Sequence, residues 1–377
     1  MKRLSVAVIA VALIVCFGGV AVAGEKLMVY TSMKESLIGK LRDAFAKKHP
    51  EVSFDYYSAG AGKLMAKVAA ERQSGRLTVD ALWHSEVPDF FQLKKEGAWE
   101  KYVSPEAAAV QSTVKDPDGF FTPARLGTLG IAYNTKKITA APKAWSDMLD
   151  PRFKDGFAIA NPALSGTAMM SVALLTNTFG WEYIQKLKAN GAKIGAGSGQ
   201  VVDDTVSGDF KASLAPDYIA IDKIKKGATM GLAYPPEMLV VPSPIAIFKG
   251  TPNLKAAQKF VDFLLSKDGQ TIVASEGTLP VRADVVVDTT HGLVKADEAV
   301  KRAMKADYLK VMPRRSRSSR SSRRPCGSAA AARSRSGGAV GREAPRRPAA
   351  PDHGRPARHG YHPLNGGSHR RTRGDAA

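Results

Sequence analysis

The sequence predicts an α/β fold in two lobes around a cleft, and three observations carry that expectation. Strand-like apolar runs alternate with amphipathic helix-like runs along most of the chain. The 377 residues suffice for two hydrophobic cores. Two extended segments, 127–133 and the proline-rich 235–244, are suited to cross between the lobes. Taken in order, "KLMVYTS" reads as a strand, and "KESLIGKLRDAFAKKHP" as a helix with Leu37, Leu41, Ala44 and Phe45 on one face. "EVSFDYYS" is a second strand, "GKLMAKVAAERQSG" a helix stopped by Gly75, and "TVDALWH" a third strand before a helix near Pro88 to Glu96. After the mixed segment "FFTPARLGTLGIAYNT" the alternation resumes. It runs through the strand "GFAIANP", helices "SGTAMMSVALLTNTFG" and "WEYIQKLKAN", the strand "AKIGAG", a helix in "IAIDKIKKG", the strand "VVPSPIAIF" and helices in "NLKAAQKFVDFLLSKDGQTIVA". This order implies mostly parallel strands in two sheets. The expected division is 24–128 with 241–312 in lobe one and 129–240 in lobe two.

The two ends differ from this body. Lys2 and Arg3, an apolar run from Leu4 to Val20, and Ala21-Val22-Ala23 before Gly24 read as an export signal over residues 1–23, with an uncleaved membrane anchor as the alternative. Cys16 follows Val15, which argues against lipidation, and with Cys326 as the only other cysteine there is no disulfide framework. Residues 313–377 carry 16 arginines, no lysine and 3 acidic residues, so +13 of the net charge of +20 lies there. That tail, poor in apolar residues, is expected to be disordered. Its abrupt change of composition reads as an out-of-frame translation of GC-rich DNA, with a genuine tail as the alternative. Nucleic-acid binding by an exported chain with a nearly neutral body is not expected.

Ligands of open α/β sheets sit beyond the carboxyl ends of strands, so four loops are singled out. In "VYTSMKE", Thr31 and Ser32 open a helix beside Lys34; Ser32 is either an ordinary cap or one donor of an anion site. In "YYSAGAGK", Ser58 and Gly60 let the backbone approach a ligand, without the Gly-Lys-Ser/Thr ending of a phosphate loop. In "LWHSEVPDF", Glu86 faces the expected crevice. In "ANPALSGTAMMS", Ser165, Gly166 and Thr167 could converge N–H groups and hydroxyls on an anion. Asp217 and Tyr218 open a further helix, where Tyr218 is either core or ligand-facing. No Gly-x-Ser-x-Gly elbow, catalytic thiol or metal-binding histidine spacing occurs in the body, so no enzyme and no cofactor are expected.

Over residues 25–282, "VYTSMKESLIGKLRDAFAKKHPEVSF", "VDALWHSEVPDFFQLKKEGAWEKY", "GIAYNT", "WSDMLDPRFKDGFAIANPALSGT" and "VVPSPIAIFKGTPNLKAAQKFVDFLLSKDGQ" appear in order. Together they resemble the periplasmic solute-binding proteins of ABC importers, in the group that binds ferric ion, phosphonates, sugar phosphates or thiamine. The resemblance implies the type II periplasmic binding protein fold: a hinged monomeric clamp that docks on an inner-membrane permease. Ferric members hold Fe³⁺ with paired tyrosines, a histidine and a glutamate. Glu86 matches the glutamate, Lys34 replaces the histidine, and Asp217-Tyr218 replaces the tyrosine pair. Glu86, Asp217 and Tyr218 would be the metal ligands if iron were bound. The substitutions favour an anionic ligand, a phosphonate or sugar phosphate, with Glu86 and Asp217 meeting an amine or hydroxyls. Ferric ion is the alternative.

Overall fold

The structure, a computed structural model, describes residues 25–112 and 116–305. The export signal and the arginine-rich tail lie outside the described residues. Three parallel strands open the fold: β1 (Glu25–Thr31), β2 (Val52–Ser58) and β3 (Ala81–Trp83). They alternate with helices α1 (Glu35–Lys48), α2 (Ala61–Ser74) and α3 (Val87–Lys95). Helix α1 forms where the spacing predicts, burying Leu37, Ile38, Leu41 and Phe45. Each such side chain contributes roughly 1.5–3 kcal/mol of burial, and Phe45 meets Phe54 and Phe260 edge-on. Helix α2 ends at Gly75, whose φ of 71° is the left-handed cap that a side chain would strain.

Two long strands occupy the centre. Strand β4 (Thr122–Asn134) pairs antiparallel with β9 (Leu239–Ile247) along Thr122–Leu129. Its far end pairs with β7 (Ala212–Pro216) and β8 (Met230–Ala233). Beyond β7 lie β5 (Phe157–Ala160) and β6 (Lys193–Gly195), giving the order β2-β1-β3-β9-β4-β7-β5-β6, with β8 on β4. The helices here are α4 (Gly166–Ala189), α5 (Ser198–Ser207) and α6 (Asp217–Lys225), followed near the end by α7 (Leu254–Leu265), α8 (Lys267–Ser275) and α9 (Ala296–Arg302).

Two expectations are corrected. The strands form one hydrogen-bonded sheet rather than two, because β4 and β9 join its halves. Only four of its eight strand pairings among the described residues are parallel, since both central strands run against their neighbours. The two helices expected between 165 and 190 do form: Gly180, with φ 77° and ψ 167°, is non-helical and divides α4 where the sequence places the break. Strands β7 and β8 and helix α5 were not anticipated. β7 and β8 are too short to show an apolar period, and a glycine interrupts β8 and α5.

Strand register positions the functional loops. Thr31 pairs with Ser58 on one side and Trp83 on the other, so three loops leave the sheet side by side. Ala160 pairs with Gly195, which sets the starts of α4 and α5 next to each other.

Candidate functional site

These two groups of loops face each other across a cavity of about 270 Å³. Ser32, Gly60 and Ser85 line it from the first group, and Ser165, Gly166, Thr167 and the Gly197-Ser198-Gly199 turn from the second. Arg125 of β4 and Tyr218 of α6 complete the wall. The hydroxyls converge: Ser165 Oγ lies 3.1 Å from Thr167 Oγ1 and 3.3 Å from Ser198 Oγ. Two helix starts thus bring unpaired backbone N–H groups and hydroxyls to one place, where an anion is favoured.

The two groups touch through glycines. A Cβ on Gly60 would lie 2.9 Å from the Leu164 carbonyl oxygen, and one on Gly166 would lie 2.8 Å from Glu86 Cγ. Only missing side chains allow this approach.

The charge in the cavity comes from Arg125. Its side chain is buried, its Nε has no hydrogen-bond partner, and its guanidinium stands 5.3 Å from the Tyr218 ring centre. A buried guanidinium costs several kcal/mol unless an acceptor meets it. Tyr218 has a second cation near it, Lys34 Nζ at 5.3 Å. Burial pushes the Tyr218 phenol up; Arg125 opposes that shift and Asp217 adds to it.

The structure revises several expected roles. Ser32, Gly60, Ser165, Gly166, Thr167 and Tyr218 line the cavity, whereas Ser58 lines a neighbouring groove and donates to the Met33 carbonyl. Thr31 is turned inward, its Oγ1 accepting from the Met33 N–H. Glu86 is buried behind Gly166, and its own N–H donates to His84 Nδ1. Asp217 does not line the cavity. Its Oδ2 accepts from the Thr128 N–H at 3.1 Å and Oγ1 at 2.8 Å, and its Oδ1 accepts from the Tyr218 N–H. Burial raises this carboxyl, and Arg125 and Thr128 work against the rise. Asp217 therefore fixes the start of α6 rather than offering a carboxylate to an amine.

Lys34 is likewise committed to the protein. Its Nζ lies 2.7 Å from Glu276 Oε2 and donates to the Glu276 carbonyl; Lys40 and Ser36 hold the same carboxylate. Burial alone would raise the Glu276 carboxyl, but Lys34, Lys40 and Ser36 bring it down to about 2. A carboxyl depressed on folding contributes stability that is present above its ordinary value of 4.5 and lost as pH falls toward 2. Denaturant titrations should show this loss, on the order of 1 kcal/mol after solvent screening, in the parent chain and not in Glu276→Gln. Equal pH slopes would reject the ion-pair account.

Arg125 was not anticipated as a site residue. The available signal was a lone charge inside the apolar run "FFTPARLGTLGIAY", a strand buried on both faces.

Comparison with known proteins agrees with this architecture. A Salmonella typhimurium (strain LT2) protein named for 2-aminoethylphosphonate binding in the periplasm is 26% identical over 261 residues, covering 66% of this chain and 75% of that protein. AfuA of Actinobacillus pleuropneumoniae, a periplasmic binding protein with exogenous fructose-6-phosphate bound, superposes with a TM-score of 0.66 at 22% identity, covering 76% of this chain and 93% of AfuA. Iron-bound HitA of Pseudomonas aeruginosa gives a TM-score of 0.66 at 24% identity, covering 76% of this chain and 98% of HitA. These likenesses establish the type II periplasmic binding protein fold, in which two lobes hinge around a ligand cleft. The family model described as bacterial extracellular solute-binding protein matches residues 86–312. With more than half of its length matched, the chain belongs to the bacterial extracellular solute-binding proteins, the ligand-capturing components of ABC transporters.

Proposed function

We propose that this solute-binding protein captures a small organophosphorus anion, a phosphonate or phosphate monoester, in the periplasm and delivers it to an inner-membrane permease. The observation that carries the reading is Arg125: a buried guanidinium with an unpartnered Nε, opposite two helix starts. A guanidinium fork matches the oxygens of a phosphoryl group, and charge-assisted hydrogen bonds of this kind are about twice as strong as neutral ones. Ser32, Gly60, Ser165, Gly166, Thr167 and Tyr218 complete the proposed site. The clamp comprises 24–128 with 241–312 as one lobe and 129–240 as the other. The ligands named for the Salmonella relative and for AfuA share the phosphoryl chemistry. Among the described residues no helix is long and apolar enough to cross a membrane. Calorimetry with methylphosphonate, 2-aminoethylphosphonate and fructose-6-phosphate tests the reading; no heat from any of the three would defeat it.

Ferric ion is the competing ligand, favoured by the likeness to HitA and by Tyr218 in the cavity wall. The donor set speaks against it. Fe³⁺ wants several anionic oxygens, whereas the phenol has cations 5.3 Å away from two directions and Asp217 is turned from the cavity. Among the described residues no group of three His, Cys, Asp or Glu is placed to hold a metal. Ferric citrate should therefore produce no tyrosinate charge-transfer absorbance. A visible band that disappears in Tyr218→Phe would replace the anion reading with the iron one.

A further inference from the structure

A larger groove of about 680 Å³ adjoins the cavity, and Gly60 and Leu164 line both spaces. The groove wall includes Tyr57, 40% exposed, and Leu164, 56% exposed. The Tyr57 ring is held in place, edge-on to Tyr30 at 5.5 Å and with Lys67 Nζ at 5.7 Å. Lys67 is itself committed to Glu71 at 2.8 Å. Lys63, in the first turn of α2, is the charged residue of the groove lining, and among the described residues it makes no ion pair. Neither the cavity nor the groove has an aspartate or glutamate in its lining. The nearby acids are Asp217, bonded to Thr128, Glu86, buried behind Gly166, and Glu71, paired with Lys67.

We infer that the ligand is anionic at both ends: its phosphoryl head meets Arg125, and a carboxylate at the other end meets Lys63 in the groove. The connecting carbon chain passes over Gly60, against Leu164 and Tyr57. This rests on the organophosphorus reading and narrows it. A ligand with an ammonium at its far end would face Lys63 and find no carboxylate on the wall; one with a carboxylate gains an opposite charge where the groove opens to solvent.

The test compares three probes by calorimetry on the full chain: methylphosphonate as the head alone, 3-carboxypropylphosphonate and 3-aminopropylphosphonate. The carboxylate probe should bind about tenfold more tightly than the amine, the scale of one charge-assisted contact. Lys63→Gln should erase that difference, weakening the carboxylate probe about tenfold and leaving methylphosphonate unchanged. Lys63 is exposed, so this variant leaves the core intact. An amine probe as tight as the carboxylate, or a carboxylate affinity untouched by Lys63→Gln, overturns the two-ended ligand while the phosphoryl site stands. Silence from all three probes overturns both.

Discussion

Arg125→Met should lower organophosphate affinity at least a hundredfold and leave the unliganded chain as resistant to heat as the parent, or more so. The two halves of this result have separate causes. Binding loses charge-assisted hydrogen bonds of about 1.5–3 kcal/mol each, and two of them suffice for the hundredfold change. Stability does not suffer in step, because the free protein loses a buried cation with an unpartnered Nε. Taking one charge out of the interior relieves a desolvation penalty of several kcal/mol per ion. Calorimetry against the best phosphonate and a thermal melt without ligand check the two halves. Retained affinity would remove Arg125 from the site. A large fall in melting temperature would show that the guanidinium serves the fold instead.

Gly166→Ala and Gly60→Ala should each weaken binding roughly ten- to hundredfold by a different route. Neither glycine has a positive φ, so alanine is conformationally acceptable at both positions and stiffens the unfolded chain by about 0.4–1 kcal/mol in favour of folding. The obstacle is spatial. At Gly60 the added carbon meets a main-chain carbonyl that cannot swing aside, and at Gly166 it meets Glu86 Cγ and, at 3.3 Å, Ala61 Cβ. The loops must separate, and the cavity between them widens. Affinity should drop while the melting temperature holds, and small-angle scattering with ligand present should give a larger radius of gyration than for the parent. Unchanged affinity in both variants would mean that the loops do not close on the ligand through these contacts.

Much of this arrangement was legible in the sequence, for identifiable reasons. Helix α1 and strands β1 and β2 follow from apolar period and flanking polar residues, and the ordered segments up to "LLSKDGQ" carry the family resemblance. The serine- and glycine-rich loops were correctly placed beyond strand ends, and the strand register gathers them. Charged side chains were harder to assign. Sequence marks Lys34 and Asp217 as polar residues in cleft-forming loops, but not whether a partner from far along the chain has engaged them. Glu276 is 242 residues from Lys34, and Thr128 is 89 from Asp217. Arg125 escaped for the converse reason. It lies within a strand, away from the strand-end loops that mark a ligand site, and only the fold shows that it reaches the cavity with its Nε unpartnered.

The β4–β9 ladder carries a mechanical consequence. Thr128 pairs with Val240 in that ladder, and through its N–H and hydroxyl it also holds Asp217, the residue before Tyr218. Arg125 belongs to the same strand, three residues earlier. On the proposed function, a ligand drawn against Arg125 and Tyr218 would load the two-stranded joint itself, with no lever arm between cargo and axle. The joint would then act as a torsion element that the cargo winds directly. Occupancy would thus be converted into a change of the molecule's outer shape, the form in which a membrane partner would recognise a loaded carrier.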